Sequence, residues 1–382
     1  MNKTNLIMKR ILYLSAVVAA LAACTSKQSL PLLDPAAFNT TIDGKAVSLY
    51  TLSAGDITMQ VTNFGGRVVT LFTPDRDGNM TDIVIGRDNI GAYAEPKGER
   101  FLGATVGPVA NRIGKASFTI GDETFRTPAN DNGVNTLHGG LLGVDMLVWD
   151  VVETTGSSIT LHLLHPDGLE GYPGNVDILM TYTLAEDNSF TVSYKATTDK
   201  TTHLNLSHHS FFNLEGEGGD SVEKYIMTIN ASKIVPIDAL SIPTGELMDV
   251  EGTPFDFREA HKIGERIGAD HPQIKNARGY DHNWCLDRAD DTSVVEACTV
   301  YDPDNGRFLE VLTDQPGIQF YSGNFFDGTD SGKNGKPLGF RSSLALETQH
   351  YPDTPNQPSF PSTILNPGET YTHTCIYRFS VK

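Results

Sequence analysis

Residues 371–379 read Tyr371-Thr-His-Thr-Cys-Ile-Tyr-Arg-Phe379, with aromatic, histidine and cysteine side chains at every second position. Because successive side chains of a β-strand point to opposite faces, this alternation predicts a strand with one buried face. Large apolar residues alternate in the same way in four other segments, at residues 57–61, 159–163, 190–194 and 225–229. The sequence therefore predicts an all-β chain, folded as a large antiparallel β-sandwich.

One segment departs from this pattern and predicts a helix. Residues 256–268 carry apolar side chains at helical spacing, and Asp256 precedes them as a candidate N-cap. Between residues 40 and 382 the sequence contains no Pro/Ser/Gly-rich linker, no break in composition and no clear repeat. Although the length alone would allow two domains, we expect residues 40–382 to form a single domain, with the stretch 327–338 as a surface loop.

The N-terminus has the composition of an export signal. Three basic residues precede an apolar run at 11–23, which is shorter than a membrane span of about 20 residues and ends in Leu-Ala-Ala-Cys24. This ending resembles the lipobox of bacterial lipoproteins, which implies removal of a signal peptide at residues 1–23 and lipidation of Cys24. We then expect residues 24–39 to be a tether, and the protein to be an exported, membrane-anchored lipoprotein facing the periplasm or the cell exterior.

Charge and cysteine content narrow the classes of partner. The formal charge of −18 becomes −21 once the three cations of residues 1–23 are removed. The sequence shows no basic stripe, so nucleic acid is not an expected partner, and a membrane is expected to be contacted only through the lipid. Cys285, Cys298 and Cys375 are widely spaced and form no metal-binding motif. We interpret them as buried apolar residues, with one disulfide left open as an alternative.

Two adjacent histidines lie within Asn205-Leu-Ser-His-His-Ser-Phe-Phe-Asn-Leu214. If this segment is a strand, His208 falls on its aliphatic face, whereas His209 falls on a polar face that carries a single aromatic, Phe211. The polar face suits a cleft that holds a polar small molecule. His209 is therefore the candidate for proton transfer, and His208 is assigned to packing. The two histidines make a poor metal site together, because adjacent strand side chains point apart.

A glutamate interrupts the apolar segment Leu344-Ala-Leu-Glu-Thr-Gln-His-Tyr-Pro352. Leu344 and Leu346 share one strand face, and Glu347 and Gln349 share the other. Burying a carboxylate is costly unless it is paired or hydrogen-bonded, and partial burial raises its pKa toward the range that a general base needs. Glu347 is thus a candidate base, with a structural ion pair as the alternative.

Three further segments place polar side chains where a strand or a tight turn does not require them. Asn111 and Arg112 follow a glycine-rich strand, where the arginine can bind sugar hydroxyls or close a surface salt bridge. His138 precedes two glycines, where backbone and ligand can approach closely, although a lone histidine is more often structural. Asp281 shares a strand face with Asn283, and it can accept from a hydroxyl or pair with an arginine.

Six motifs in order make the chain similar to the aldose 1-epimerase (galactose mutarotase) family over roughly residues 40–380. They are NRIG at 111–114, LHGG at 137–140, NLSHHSFFNL at 205–214, GYDHN at 279–283, GIQFYSGN at 317–324 and LALETQHYPD at 344–353. The resemblance implies a galactose mutarotase-like supersandwich, and an isomerase that interconverts the α and β anomers of free hexoses such as galactose or glucose without a cofactor or metal.

The same resemblance assigns roles to individual residues. It implies His209 as general acid and Glu347 as general base, the histidine working near its ordinary pKa of about 6.5. Substrate-binding residues implied by the motifs are Asn111, Arg112, His138, Asp281 and Gln319. The sequence departs from the family at His208, where asparagine is common, and the strand pattern confines that change to packing.

Three other functions remain open from the sequence. A non-catalytic sugar-binding protein would keep the pocket without needing an acid–base pair. A glycosidase would use two carboxylates, with Asp281 and Glu347 as the candidates. An epimerase of sugar phosphates would need further cations beside Arg112. The sequence does not determine the preferred sugar or the oligomeric state.

Overall fold

The computed structural model describes residues 30–382. The predicted signal peptide and Cys24 lie outside the described residues. In chain order the strands are β1 (Thr40–Ile42), β2 (Lys45–Val47), β3 (Leu49–Ala54), β4 (Ile57–Thr62), β5 (Arg67–Pro74), β6 (Met80–Asp82), β7 (Ala104–Val106), β8 (Arg112–Ile113), β9 (Ser117–Ile120), β10 (Glu123–Arg126), β11 (Thr136–Leu137), β12 (Asp150–Thr154), β13 (Ser158–His165), β14 (Val176–Leu184), β15 (Ser189–Thr198), β16 (Thr202–His203), β17 (Ser207–His209), β18 (Phe211–Phe212), β19 (Ile226–Ile229), β20 (Lys233–Val235), β21 (Met248–Asp249), β22 (His261–Lys262), β23 (Asp281–Cys285), β24 (Val295–Tyr301), β25 (Arg307–Thr313), β26 (Gly317–Tyr321), β27 (Leu344–Gln349), β28 (Ile364–Leu365) and β29 (Tyr371–Val381).

Three sheets organise these strands. The largest has nine strands in the order β12-β13-β14-β15-β29-β25-β24-β19-β22, the second has six in the order β18-β27-β26-β23-β20-β21, and the third is the meander β3-β4-β5-β6. Two-stranded pairs, including β7 with β17 and β8 with β11, connect them. Every strand pair within residues 30–382 is antiparallel, as in β15 with β29. The predicted all-β, antiparallel class is confirmed.

The main core lies between the nine-stranded sheet and the two smaller sheets. Phe212 of β18 and Tyr377 of β29 belong to different sheets, and their ring centroids are 5.2 Å apart. Along β29 the side chains of His373, Cys375 and Tyr377 are buried, whereas the intervening threonine and isoleucine side chains are partly exposed. The alternation in this segment therefore predicted the buried face of the strand correctly, because one face covers the core and the other meets solvent. Among the described cysteines, Cys285, Cys298 and Cys375 are all buried and unpaired.

The predicted helix at 256–268 is wrong. This segment contains strand β22 and a single 3₁₀ turn, Ile263–Glu265, and the α-helices of the described chain are the short α1 (Ile90–Ala94) and α2 (Pro272–Ala277). Met227 pairs with His261 in the sheet, and the Asp256 carboxylate binds the Arg258 guanidinium instead of capping a helix. Tertiary pairing thus overrides a weak local helical pattern.

The segment around His209 forms two short strands where the sequence suggested one. β17 pairs with β7, β18 pairs with β27, and Ser210 lies between them. The side chains on either side of Ser210 still point to the faces that alternation predicted, because both strands keep an extended backbone. The Ser210 hydroxyl also contacts Nε2 of His208 at 2.7 Å, which helps to satisfy a buried imidazole.

The β26–β27 connection, residues 322–343, is long for a compact domain and is held by buried charge. Lys333 is 4 % exposed. Its Nζ lies 3.1 Å from Asp82 Oδ2 and 3.2 Å from Glu217 Oε2, and donates to two backbone carbonyls. Most of the predicted surface loop, residues 327–338, is exposed, but the side chains of Lys333 and Leu338 reach the interior.

The compact unit begins at Leu32. Phe38 is fully buried, and Asp34 accepts a hydrogen bond from the backbone of the short 3₁₀ turn Pro35–Ala37. Phe38 thus packs in a buried apolar cluster of the described chain, and the domain bounds of 40–382 stay a prediction. Among the helices within residues 30–382, none combines the length and apolarity needed to cross a bilayer.

Candidate active site

Three neighbouring strands of the six-stranded sheet present polar side chains to one pocket. Gln319 of β26 is the register partner of Glu347 on β27, and β23 on the other side of β26 begins with Asp281. Gln319 Nε2 donates to Asp281 Oδ1 at 2.7 Å. Leu344 and Leu346 of β27 point the other way, into the core. The two-residue period of the strands thus places the predicted polar residues together on one face of the sheet and the apolar residues on the other face, toward the core.

His209 ends β17 and faces Glu347. His209 Nε2 lies 3.4 Å from Glu347 Oε1, and the two residues are 5 % and 2 % exposed. His208 points into the core instead, where Nδ1 contacts the Tyr182 hydroxyl at 3.2 Å and the ring packs edge-on against Phe190. The two histidines therefore have the separate environments that alternation predicted.

Two hydrogen bonds join Asn111 and His138. The Asn111 N–H donates to His138 Nδ1 at 3.0 Å, and the His138 N–H donates to the Asn111 carbonyl at 2.9 Å. Because Nδ1 accepts a hydrogen bond, the neutral ring carries its proton on Nε2. The histidine ring lies edge-on to His209 with centroids 5.1 Å apart. His138 is thereby set to donate a hydrogen bond into the pocket.

The glycines after His138 serve a backbone contact. A Cβ at Gly139 would lie 1.9 Å from the carbonyl oxygen of Gly107, and Gly139 has φ of +88°. From the sequence, a close approach of ligand to backbone was predicted here. The structure shows that the close approach is between two segments of the protein, which fixes the loop that carries His138.

Arg112 lies on β8, opposite Leu137 of β11. Its Nε donates to Asp131 Oδ2 at 3.0 Å, and its Nη1 is 4.0 Å from Asp281 Oδ2. The guanidinium is largely buried and therefore pre-positioned, with its remaining N–H groups available to a ligand. Both alternatives left open by the sequence apply, since Arg112 closes a salt bridge and also lines the pocket.

The predicted catalytic and sugar-binding residues converge on one region. A small pocket of about 120 Å³ is lined by Asn111, Arg112, His138, His209, Asp281 and Glu347, and Gln319 lines the adjoining small cavity. Sequence reasoning placed Phe211 on this face but missed the other lining residues, which are Glu99, Phe101, Leu137, Tyr321 and Phe325. Leu137 and Tyr321 lie inside recognised motifs, at 137–140 and 317–324, whereas none of the six motifs contains Glu99, Phe101 or Phe325.

Burial governs the charges in the pocket. It lowers the pKa of His209 to about 4, below the ordinary value expected from the sequence. Burial, followed by the charges of Asp281 and Glu99, raises the pKa of Glu347 well above its ordinary value. The contact between His209 and Glu347 favours an ionised pair, whereas burial favours a neutral one. In both states the pair shares a single proton, held on the imidazole or on the carboxyl.

Distance alone would allow a metal ion among His138, His209 and Glu347, because one ligand atom from each lies within 4.8 Å of the others. The hydrogen bonding argues against a metal site. His138 Nδ1 is occupied by the Asn111 N–H, so Nε2 retains the proton and offers no lone pair to a metal. The arrangement favours a hydrogen-bond donor at this position.

Fold and site together define an antiparallel β-sandwich whose pocket combines a buried histidine–carboxylate pair with groups suited to sugar hydroxyls. Residues 48–378 match the family model described as aldose 1-epimerase. Galactose mutarotase from Mus musculus is 39% identical over 338 residues, which cover 88% of this chain and 95% of the mouse protein. Aldose 1-epimerase from Escherichia coli (strain K12) is 36% identical over 341 residues, which cover 88% of this chain and 96% of that protein.

Solved structures agree with this grouping. An aldose epimerase homologue from C. elegans superposes with a TM-score of 0.81 at 28% identity, covering 88% of this chain and 99% of that one. Galactose 1-epimerase from Lactobacillus acidophilus NCFM superposes with a TM-score of 0.77 at 28% identity, covering 90% and 97%. The chain belongs to the aldose 1-epimerase family.

Proposed function

We propose that Glu347 and His209 interconvert the α and β anomers of free hexoses by moving one proton each. Membership of the family makes the chain an isomerase of aldoses that acts on a sugar substrate. The observation that carries the residue assignment is the buried contact of 3.4 Å between His209 Nε2 and Glu347 Oε1 at the wall of a pocket rich in polar groups. No other acid–base pair is needed for the reaction.

Ring opening requires two proton transfers. Glu347 as carboxylate takes the proton of the hydroxyl on C1, the C1–O5 bond breaks as C1 becomes an aldehyde, and His209 as imidazolium protonates O5. Rotation about C1–C2 presents the other face of the aldehyde. Closure then reverses both transfers, with His209 taking the proton from O5 and Glu347 returning one to the carbonyl oxygen.

The two states of the shared proton match the two halves of this cycle. The closed sugar faces an ionised pair, and the open aldehyde faces a neutral pair. Burial lowers the pKa of His209 and raises that of Glu347, which brings the ionised and neutral states closer in free energy. Proton transfer in either direction then has a small energetic cost, as a reversible isomerisation requires.

The remaining polar residues are proposed to hold the sugar. Nε2–H of His138 and the free N–H groups of Arg112 donate to sugar oxygens, and Asp281 accepts from hydroxyls. Gln319 orients Asp281 through their hydrogen bond of 2.7 Å, and Asn111 orients His138. Such fixed donors and acceptors position the reacting atoms before the reaction begins.

The alternatives from the sequence have less support. A binding protein does not require two proton-transfer groups in contact. A glycosidase using Asp281 and Glu347 would need Asp281 free to attack or protonate, but Gln319 and Arg112 both engage it. A sugar-phosphate epimerase would need more cationic groups than Arg112, which is already paired with Asp131.

Polarimetry tests the activity directly. Purified protein added to freshly dissolved α-galactose or α-glucose should speed relaxation to the anomeric equilibrium, and comparison of the two rates would show the preferred sugar. Hydrolysis of an aryl glycoside tests the glycosidase alternative. A relaxation rate equal to the spontaneous one for every common hexose and pentose would refute the activity.

We also propose that the chain is a lipoprotein anchored through Cys24. The support is the basic start, the apolar run and the Leu-Ala-Ala-Cys24 ending. Replacement Cys24→Ser should release the protein from membranes into the soluble fraction. Unchanged membrane partitioning would contradict the anchor.

A further inference from the structure

Three carboxylates line the pocket, and the proposed reaction uses only two of them. Glu347 transfers a proton and Asp281 holds hydroxyls, whereas Glu99 has no role in the steps above. The charges of Asp281 and Glu99 both raise the pKa of Glu347, after burial itself. The pocket therefore concentrates negative charge beyond what acid–base chemistry needs.

Glu99 is held firmly at the pocket wall. Its Oε1 accepts from the Phe101 N–H at 2.9 Å, its own N–H donates to Asp330 Oδ2 at 2.9 Å, and its carbonyl accepts from Arg87 Nη2 at 3.1 Å. The residue is partly exposed and lines the pocket. Burial raises the pKa of Glu99, and the hydrogen bond from the Phe101 N–H and the charge of Arg87 oppose that shift. An ionised carboxylate fixed in this way contributes a charge at a defined position.

Positive charge near the pocket is already engaged. Arg112 is the one arginine or lysine among the described lining residues, and its guanidinium binds Asp131. Behind the wall, Asp145 binds Arg100 through two nitrogens at 2.7 Å each and the buried Arg67 at 3.4 Å. At the mouth, Arg278 lies 5.5 Å from the ring centroid of Phe325 and is exposed to solvent, which screens it.

Unpaired acceptors point to the chemistry of the ligand. Within residues 30–382, Glu347 Oε2 and Gln319 Oε1 are buried and have no hydrogen-bond partner. Such acceptors require donors, which hydroxyl and ammonium groups supply. A carboxylate or phosphate on the sugar would instead add like charge to a group of carboxylates.

We propose that the pocket selects its aldose by charge and that Glu99 is the specificity residue. Hexoses that carry an ammonium group, such as 2-amino-2-deoxyhexoses, bind alongside neutral hexoses, whereas uronic acids and sugar phosphates are rejected. The part of this inference that concerns turnover rests on the proposed mutarotase function. The part that concerns binding does not.

Glu99→Gln provides the test, because the glutamine keeps an oxygen for the Phe101 N–H and removes only the charge. Calorimetry would give the affinity for galactosamine, galactose and galacturonate at pH 6.5, and polarimetry would give kcat/KM for the same sugars. In wild type we expect galactosamine to be accepted and galacturonate to be excluded. In Glu99→Gln the ratio of galactosamine to galactose should fall about tenfold, and galacturonate should improve. Raising the salt concentration should shrink both effects.

A matched control variant and the calorimetric affinities separate selection by charge from other causes. Glu123→Gln removes one charge from an exposed strand outside the pocket and should leave every ratio unchanged. The inference is overturned if Glu99→Gln leaves the galactosamine-to-galactose ratio of affinities as in wild type, or if Glu123→Gln shifts it equally. Failure to turn over any neutral hexose would instead count against the proposed function, while calorimetry still decides the selection by charge.

Discussion

Neighbouring residues His208 and His209 show how one position along a strand decides the role of a side chain. Both imidazoles are buried, but His208 is enclosed by Tyr182, Phe190 and Ser210, and its two nitrogens are hydrogen-bonded within the core. His209 meets the carboxylate of Glu347. Proton transfer is open only to the second histidine, because only its nitrogen faces a partner that can exchange a proton.

The pH dependence of activity should reflect the buried pair. Burial lowers the pKa of His209 to about 4. The pair therefore gains a second proton only when the pH falls through about 4, and below that pH Glu347 can no longer act as base. We expect kcat/KM to hold from neutral pH down to about pH 5 and to fall below that. Polarimetry across this range, with recovery checked at pH 7, measures the profile. An acid limb centred near 6.5 would show that His209 titrates as an exposed histidine.

Replacement of the packing histidine should separate stability from catalysis. His208→Asn removes the contacts of the imidazole with the Tyr182 and Ser210 hydroxyls and creates a small cavity, which should cost about 1–3 kcal/mol in the free energy of unfolding. We expect the catalysed rate to stay within about threefold of wild type, because His208 does not touch the pocket. Urea unfolding and polarimetry measure the two effects. Loss of activity comparable to that of His209→Asn would contradict the separation.

Strands and loops contribute to the site in different ways. The strands β23, β26 and β27 set Asp281, Gln319 and Glu347 by register, and this placement follows from alternation once the strands are known. The loops that carry Asn111 and His138 depend on positive φ values and on backbone hydrogen bonds between distant segments. Loop geometry of this kind is not encoded in any local pattern.

Sequence alone therefore predicted a definite part of the result. Alternation is a local property, so it correctly predicted the strand class, the buried face of β29 and the opposite directions of His208 and His209. The helix at 256–268 failed because sheet pairing of β22 outweighs local propensity. Glu99 and the interior position of Lys333 could not be predicted, because each depends on partners that the fold brings from remote parts of the chain.

The β26–β27 connection should lose stability when its buried cation is removed. Lys333→Met leaves the carboxylates of Asp82 and Glu217 without their cation. Breaking a buried ion pair of this kind typically costs about 3–5 kcal/mol. Lys336→Met in the same loop replaces an exposed lysine whose Nζ donates to the Glu217 carbonyl. Loss of this one hydrogen bond should cost about 0.5–1.5 kcal/mol. Chemical unfolding of both variants gives the comparison. Equal losses would show that the connection is not held through Lys333.

At the scale of the whole molecule, buried histidines should make the fold sensitive to acid. Burial lowers the pKa of His165, His203, His209 and His373 to about 4, and of His208 and His282 to about 3. Between these values and the ordinary pKa near 6.5, the unfolded chain binds more protons than the folded one. Stability is therefore fully present above about pH 6.5 and falls as the pH drops toward 4.

Unfolding by urea at pH 7.5, 6, 5 and 4.5 measures this loss. Each such histidine contributes up to about 1.4 kcal/mol per pH unit within the window. His165 is the matched test site, because it is fully buried and neither ring nitrogen has a described hydrogen-bond partner. His165→Leu should flatten the pH dependence without removing a hydrogen bond. A midpoint that is constant from pH 7.5 to 4.5 would contradict the account.

The exchange of one proton between Glu347 and His209 is tested most directly by polarimetry of Glu347→Gln, with sugar affinity measured on the same preparation. The amide keeps the size of the side chain but cannot take the proton of the C1 hydroxyl. We predict that the catalysed relaxation of α-galactose or α-glucose falls by about 10²–10⁴-fold, while sugar affinity stays within about tenfold of wild type. A Glu347→Gln variant that binds sugar and still relaxes it at the wild-type rate would contradict the mechanism.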